Sequence, residues 1–340
     1  MDLIIVPSKH SKMGFEQSRY EKLQQMPDGQ QQKVGELKLE KPMEVLFEGA
    51  NEDIYKPLDK DEISEEFFDM LNEKVPEKFA YLFVGQWTKG GFGEDRKDIG
   101  KLIKLFYESF ANKKKQPALI LKTSGATYSI IDREECITKI NQLKDSFPKD
   151  WKLPNIYLLH GDLTDEEMNY LYNHPKIKSM VNLTHGEGFG RPLLEATMTG
   201  LPVIASAWSG QLDFINDKYS ILLGGQLQKV PKVQHWKDII IPESQWFTVD
   251  QNQVYKALNY CFENYETVKS KGKTMMDMNR NQFTLNKMTE KLDEIIEKYI
   301  KDVPQQVGIQ LPKLKKIGDS PKPKLELPKL KRVTKEGAPA

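Results

Sequence analysis

Between about residue 43 and residue 300 the chain alternates two kinds of apolar spacing. The runs EVLFEG (44–49), YLFVG (81–85), ALILKT (118–123), NIYLLH (155–160), SMVNLT (179–184), PVIASA (202–207) and SILLG (220–224) are short and apolar almost without a break. That is the pattern of strands buried on both faces. Between most of them apolar residues recur every three or four positions, over 63–74, 96–111, 133–147 and 165–174. Thr164 and Glu167 form a capping box at the start of the last of these helices. The alternation predicts a parallel sheet covered by helices on both faces, a doubly wound α/β domain whose ligands bind beyond the carboxyl ends of the strands. From Asp250 to about Lys301 the spacing is helical and closes the domain. The stretch 225–249 breaks the alternation and predicts an irregular excursion in which Trp236 and Trp246 serve packing.

Composition sharpens the edges of that picture. With 340 residues, 39% of them apolar, the chain is long enough for substantial hydrophobic cores. The longest apolar runs, such as YLFV and ALIL, fall far short of the roughly 20 residues a membrane span needs. The first residues, MDLIIVPSKHSK, lack a basic n-region and a cleavage site, so they predict a buried strand and a chain that stays in the cytoplasm. Cys136 and Cys261 have no CxxC partner, which points to two buried thiols. The net charge of +1 hides a division: the residues from Lys301 onward carry ten basic against four acidic side chains, and the 300 before them are mildly acidic. The tail repeats Leu-Pro-Lys-Leu-Lys at 311–315 and 327–331 and holds six prolines, so 302–340 is expected to be disordered and to solubilise the chain or to contact an acidic partner. No aromatic residue interleaves with its lysines, and specific nucleic-acid binding is not expected.

The candidate chemistry lies in HGEGFGRPLLEATMTG, 185–200. A strand ends at Thr184, a glycine-rich turn follows, and Pro192 marks the first turn of a helix. Glycines there let the backbone approach a ligand, and unpaired amides with the helix dipole favour a phosphate. Arg191, and likewise Arg96 with Lys97, sit at helix starts where cations are disfavoured by about 0.3 to 1 kcal/mol each. An anion between them would remove that cost; otherwise they are solvated surface cations. Glu195 is set among Leu193, Leu194 and Ala196, so its carboxylate either pairs with Arg191 or accepts from a ligand hydroxyl such as a ribose. Glu187, in the loop, is free to face the same cleft. Asp59-Lys60-Asp61 lies in a charged run before a helix and reads as a solvated cap, not a metal site.

EGFGRPLLEA, followed by TGLPVIAS and SGQLDFI, resembles the donor-binding signature of retaining GT-B glycosyltransferases of the glycosyl transferases group 1 type. YLFVGQWTKGGFGEDRKDIGKLIKLF is similar to the opening strand, loop and lysine-bearing helix of the family's C-terminal domain, and LLHGDLTDEEMNYLY to its base-binding turn. The four blocks span roughly 44–300. The resemblance implies a Rossmann-like domain over 43–301 that binds a nucleotide diphosphate sugar and transfers the sugar with retention, needing no bound metal or other cofactor. Carried over, Glu187 lies near the donor sugar and Lys97 on the diphosphate, these two being the catalytic candidates. Glu195 holds the ribose, Gly188, Phe189 and Gly190 contact phosphate and sugar through their backbone, and Asp162 with Leu163 receives the base. The family often has Gly-Arg after the first strand, whereas here it is Gly85-Gln86, so either Arg96 or Arg191 compensates or donor affinity is reduced.

At the front, residues 3–22 resemble the final strand and helix of the family's other domain, so 1–26 is expected to be a remnant of it and most of that domain to be missing. The polar run 27–42 is then a flexible linker. On this reading a partner chain supplies the acceptor domain, unless sequence upstream does. The rival reading is a binding or structural protein that keeps the domain without catalysis. A two-carboxylate glycosidase is weaker, because Glu195 in mid-helix is poorly placed to reach the same bond as Glu187.

Overall fold

The computed structural model describes residues 3–27, 29–88, 90–237 and 239–299. The basic tail expected to be disordered lies outside the described residues. The chain opens with strand β1 (Ile4–Val6), helix α1 (Lys9–Gln17) and the antiparallel pair β2 (Arg19–Gln25) and β3 (Gln31–Lys38), followed by β4 (Met43–Val45). The apolar run at 44–49 was expected in the main sheet. Its strand, β4, instead pairs in parallel with β1 in a separate two-stranded sheet, Ile4 opposite Met43. The polar run 27–42, expected as a flexible linker, contains β3, whose amides are satisfied by β2 through a ladder from Arg19 opposite Lys38 to Gln25 opposite Gln31. Polarity alone did not separate this ribbon from a linker, because it is exposed on both faces and needs no apolar alternation.

After α2 (Glu65–Lys74) come β5 (Ala80–Val84), α3 (Ile99–Phe110), β6 (Ala118–Lys122), α4 (Ile130–Asp145), β7 (Ile156–Leu159), α5 (Asp165–Asn173), β8 (Ile177–Asn182), α6 (Arg191–Met198), β9 (Val203–Ser206) and β10 (Ile221–Leu223). The six strands β5 to β10 form one parallel sheet in the order β10-β9-β8-β5-β6-β7. The sequence therefore winds outward from β5 through β6 and β7, then returns to the other side of β5 with β8. This is a topological switch point between β5 and β8, where such sheets hold ligands.

Helices form where caps and periodicity agree. Thr164 accepts from the Glu167 amide at 3.2 Å while the Thr164 amide donates to the Glu167 carboxylate at 2.8 Å, so the capping box opens α5. Each strand divides its side chains between two cores. Tyr81 and Phe83 of β5 pack with Phe106 and Phe110 of α3 on one face, and Ala80, Leu82 and Val84 pack with Leu171 of α5 and Leu194 of α6 on the other.

The stretch 225–249, expected to be irregular, carries a second hairpin, β11 (Gly225–Lys229) against β12 (Gln245–Val249). Helices α7 (Gln251–Glu263), α8 (Tyr265–Gln282) and α9 (Leu285–Tyr299) close the fold as expected. The last returns to β4, where Tyr299 donates to Glu44 at 2.8 Å. Among the described residues no helix is long and apolar enough to cross a membrane. Asp59 is the cap read from the sequence: its amide donates to Glu62 at 2.7 Å in a short turn before α2.

Candidate functional site

The loops that leave β5 and β8 meet at the switch point. His185 donates its amide to the Arg96 carbonyl at 2.9 Å, which ties the segment before α3 to the glycine-rich turn before α6. From these two segments Lys97 and Arg96 reach one carboxylate, that of Glu187. The Lys97 ammonium contacts Oε1, and the Arg96 guanidinium lies 3.3 Å from Oε2 and donates to the Gly186 carbonyl at 2.9 Å. Lys97 and Glu187 are almost closed off from solvent, whereas Arg96 is 47% exposed. Burial lowers the Lys97 pKa, opposed by the Glu187 charge and reinforced by Arg96. A Cβ at Gly85 would lie 3.4 Å from Cε of Lys97, so the lysine stem passes within van der Waals reach of the end of β5.

The turn 186–190 is shaped by backbone contact. The Glu187 amide donates to the hydroxyl of Ser209 at 2.8 Å, and the Gly210 amide donates to the Glu187 carbonyl at 3.0 Å. A Cβ on Gly210 would stand 2.1 Å from the Gly188 carbonyl oxygen. Gly190 takes the N-cap of α6 at φ 100°, a left-handed conformation that suits glycine. Phe189 turns its ring into the core against Phe214, 4.9 Å between centroids, so only its backbone is available to the cleft.

Glu195 lies one turn into α6 and is 8% exposed. Of the two partners open to it, the structure supplies Arg191, at 3.3 Å, and adds the Tyr172 hydroxyl, donating at 3.3 Å. Burial raises the Glu195 pKa and Arg191 draws it back, so the carboxylate is held by two partners at some cost in desolvation. Tyr55 stands behind this pair. It donates to Asp165 at 2.9 Å, and its ring centroid is 6.3 Å from that of Tyr172.

Among the described residues, no hydrogen bond or ion pair joins the other predicted residues to this cluster. Gln86 is exposed at the end of β5. Asp162 is exposed in the turn after β7, where its charge acts on Lys122 and opposes the lowering of that lysine's pKa by burial. Leu163 packs against the core. Sequence reasoning missed Ser209, Tyr172 and the pair Asp132 and His160. Asp132 accepts from the amides of Gly125 and Ala126 and from His160, 2.9 Å from its Nε2, pinning the loop after β6. Burial acts against the Asp132 charge, but His160 and those amides hold its carboxyl below the usual range. Ser209 alone had a signal in the sequence, in the SGQLDFI block; the rest are ordinary loop and helix residues until the fold gathers them.

Residues 101–241 match the family model for glycosyl transferases group 1. The match covers about two fifths of the chain. Solved structures agree on the fold. Sucrose-phosphate synthase from Thermosynechococcus elongatus matches over 87% of this chain and 58% of its own, at 17% identity and a TM-score of 0.57. Alr3699/HepE of Anabaena, solved with UDP and glucose, matches over 87% and 63% at 13% identity and a TM-score of 0.57. WaaG, a glycosyltransferase involved in lipopolysaccharide biosynthesis, matches over 86% and 62% at 16% identity and a TM-score of 0.54. The six-stranded parallel sheet flanked by helices thus has the Rossmann-like fold of a GT-B domain. The chain spans about three fifths of the length of these structures. No curated protein sequence matches it. The matched span begins inside α3 and covers Glu187 and Glu195 but not Arg96 and Lys97, which the fold alone brings to Glu187.

Proposed function

We propose that the chain is the donor-binding part of a retaining glycosyltransferase, which binds a nucleotide diphosphate sugar between the ends of β5 and β8 and passes a hexose to an acceptor. The observation that carries this reading is the convergence of Arg96 and Lys97 on Glu187 at the switch point, beside the N-terminus of α6. Two cations, Lys97 largely buried and Arg96 half-exposed, and a helix start are suited to a diphosphate.

In the reaction the bond from the anomeric carbon to the diphosphate oxygen breaks, and a bond from that carbon to an acceptor oxygen forms on the same face. The acceptor hydroxyl gives up its proton, and the departing nucleotide diphosphate keeps the electron pair. Lys97 and Arg96 offset that growing charge. Glu187 holds both cations in place before the donor arrives and lies on the sugar side. Glu195 meets the ribose hydroxyls, with Arg191 and Tyr172 fixing its orientation. The backbone of Gly188, Phe189 and Gly190 contacts phosphate and sugar, and Asp162 with Leu163 receives the base. No step requires a metal or further cofactor. The acceptor is held by a second lobe, contributed by a partner chain or by further sequence of the same protein, and the reaction runs in the cytoplasm. The basic tail solubilises the chain or touches an acidic partner.

One observation favours a non-catalytic variant of this reading: at the end of β5 an exposed, uncharged Gln86 stands where the family resemblance expects an arginine. Calorimetry against a panel of nucleotide diphosphate sugars tests the site. The donor reading expects binding that weakens about tenfold or more in Lys97→Ala, the loss of one charged hydrogen bond. No binding at millimolar ligand would remove it. Mass-detected transfer to a sugar acceptor by the isolated chain would show that no partner is required, and binding without transfer in any pairing would favour the non-catalytic reading.

A further inference from the structure

Asp98 follows Lys97 at the start of α3, and His185 lies two residues before Glu187, so the pair sits on the two segments that converge at the switch point. Asp98 occupies the N-cap position of α3, where an aspartate ordinarily accepts from an amide of the first turn. Here it does not. Its backbone is left-handed, φ 54°, its side chain makes no cap bond, and Asp95 accepts from the Ile99 amide instead, at 3.2 Å. The Asp98 carboxyl turns inward, fully buried, and its Oδ2 lies 3.6 Å from Nε2 of His185, which is 3% exposed. The histidine ring is fixed on two sides. It stacks on Trp246, 3.9 Å between centroids and 11° between planes, and its Nδ1 lies 2.6 Å from the Phe247 carbonyl. A carbonyl only accepts, so Nδ1 carries a proton and the neutral ring presents a lone pair at Nε2.

Among the described residues Nε2 of His185 and both Asp98 carboxyl oxygens lack a hydrogen-bond partner, and all three are closed to solvent. Lys101 does not meet the need: it stands 3.8 Å from Oδ2 and donates to the Val249 carbonyl at 2.8 Å. Two acceptors facing each other away from water are costly, and one proton between them satisfies both. The charges around the pair are Lys101 and Asp95 and, acting on Lys101 from the start of α7, Asp250; the hairpin contributes the uncharged Trp246, Phe247 and Thr248. Burial pushes the Asp98 carboxyl up to about 7, with Lys101 opposing and Asp95 adding, and burial holds His185 down to about 4. Between those values a neutral acid faces a neutral imidazole. We propose that Asp98 and His185 are positioning residues: Asp98 carries a buried proton that it donates to Nε2 of His185, and this bond clamps the start of α3 to the glycine-rich turn, holding Lys97 against Glu187. The separation of 3.6 Å closes to a hydrogen bond with a side-chain adjustment of about 0.8 Å. As pH rises through about 7 the proton is lost, carboxylate and lone pair oppose each other, and the clamp opens. The inference does not depend on the donor reading, because it concerns the two segments and not a ligand.

Nitrogen NMR of the histidine rings in the full chain reads the proton directly. At about pH 5.5 His185 should show a protonated Nδ1 and an unprotonated Nε2 displaced by an accepted hydrogen bond, and above about pH 7.5 Nε2 should move to its unbonded position as Asp98 ionises. Asp98→Asn supplies an amide donor and tolerates the left-handed backbone, so Nε2 should stay bonded at every pH. Asp98→Gly suits the same backbone and removes the group, so Nε2 should stay unbonded. The His185 amide, which donates to the Arg96 carbonyl at 2.9 Å, reports the clamp through its hydrogen exchange. Its protection at about pH 5.5 should fall about tenfold or more in Asp98→Gly and be restored in Asp98→Asn. The wild-type spectra keep the test decisive should Asp98→Gly fail to fold. The proposal is overturned if Nε2 carries a proton at about pH 5.5, if its position in the wild type does not change up to about pH 8, or if Asp98→Gly leaves the His185 amide as protected as before.

Discussion

Glu195 is the residue whose setting divides two explanations most cleanly. Its pairing with Arg191 and Tyr172 satisfies it without a ligand, yet each carboxylate oxygen has one of these partners and the chemical capacity to accept a second hydrogen bond. Glu195→Gln keeps the shape and removes the charge. If the carboxylate holds a ribose, nucleotide affinity drops roughly tenfold by calorimetry with little change in melting temperature, the magnitude of one charged hydrogen bond. A lower melting temperature with unchanged affinity would make it a partner for Arg191 alone. Asp98 gives a pH prediction. Burial pushes its carboxyl up to about 7, with Lys101 pulling it back and Asp95 adding to the rise. A carboxyl whose folded pKa lies above its unfolded value binds more protons when folded, so the stability it contributes is lost as pH rises between the ordinary value and about 7. His185, lowered to about 4 by burial, acts in the opposite sense, gaining stability from about pH 4 to its ordinary value. The melting temperature of Asp98→Asn minus that of the wild type should therefore increase from pH 4 to pH 7, since His185 is common to both. A difference that stays flat would mean that Asp98 titrates normally.

At the scale of elements, the glycine-rich turn is held open by what lies behind it. Gly210 approaches so closely that a Cβ would overlap the Gly188 carbonyl, and backbone cannot swing aside as a side chain can. Gly210→Ala should displace the 186–190 turn, weaken nucleotide binding by about tenfold or more and lower stability by roughly 1 to 3 kcal/mol, as for other overpacked positions. Calorimetry and thermal melting check both, and unchanged binding would separate the turn from the ligand. The strands and most helices of the main sheet were legible as apolar runs and periodic spacings, because each is buried in the way its pattern encodes. The two hairpins were not. β2 and β3 are exposed throughout, and β11 is exposed along its whole length, so they lack the alternation that marks a half-buried strand. Their pairing is a property of two segments together, invisible in either one.

For the whole molecule, one sheet separates two cores that share every strand. Phe106 belongs to one and Leu194 to the other, both fully buried. Truncating either to alanine should cost about 3 to 5 and 2 to 5 kcal/mol respectively. Because the strands couple the cores, each variant should unfold in one transition at a lower denaturant midpoint; two separate transitions would show that the faces are independent. The same coupling explains what could and could not be read in advance. Local sequence determined the strands buried on both faces, the capped helices and the glycine turn with its two glutamates, since each is set by the spacing of neighbouring side chains and by backbone preference. The EGFGRPLLEA block carried the resemblance to group 1 glycosyltransferases, with three further blocks beside it. Tertiary structure alone decided the strand order that makes β5 and β8 adjacent, and so brought Lys97 to Glu187 across 90 positions of chain. It also buried Asp98 beside His185, 3.6 Å apart. Contacts of that range depend on how the sheet is wound, and no local pattern carries that information.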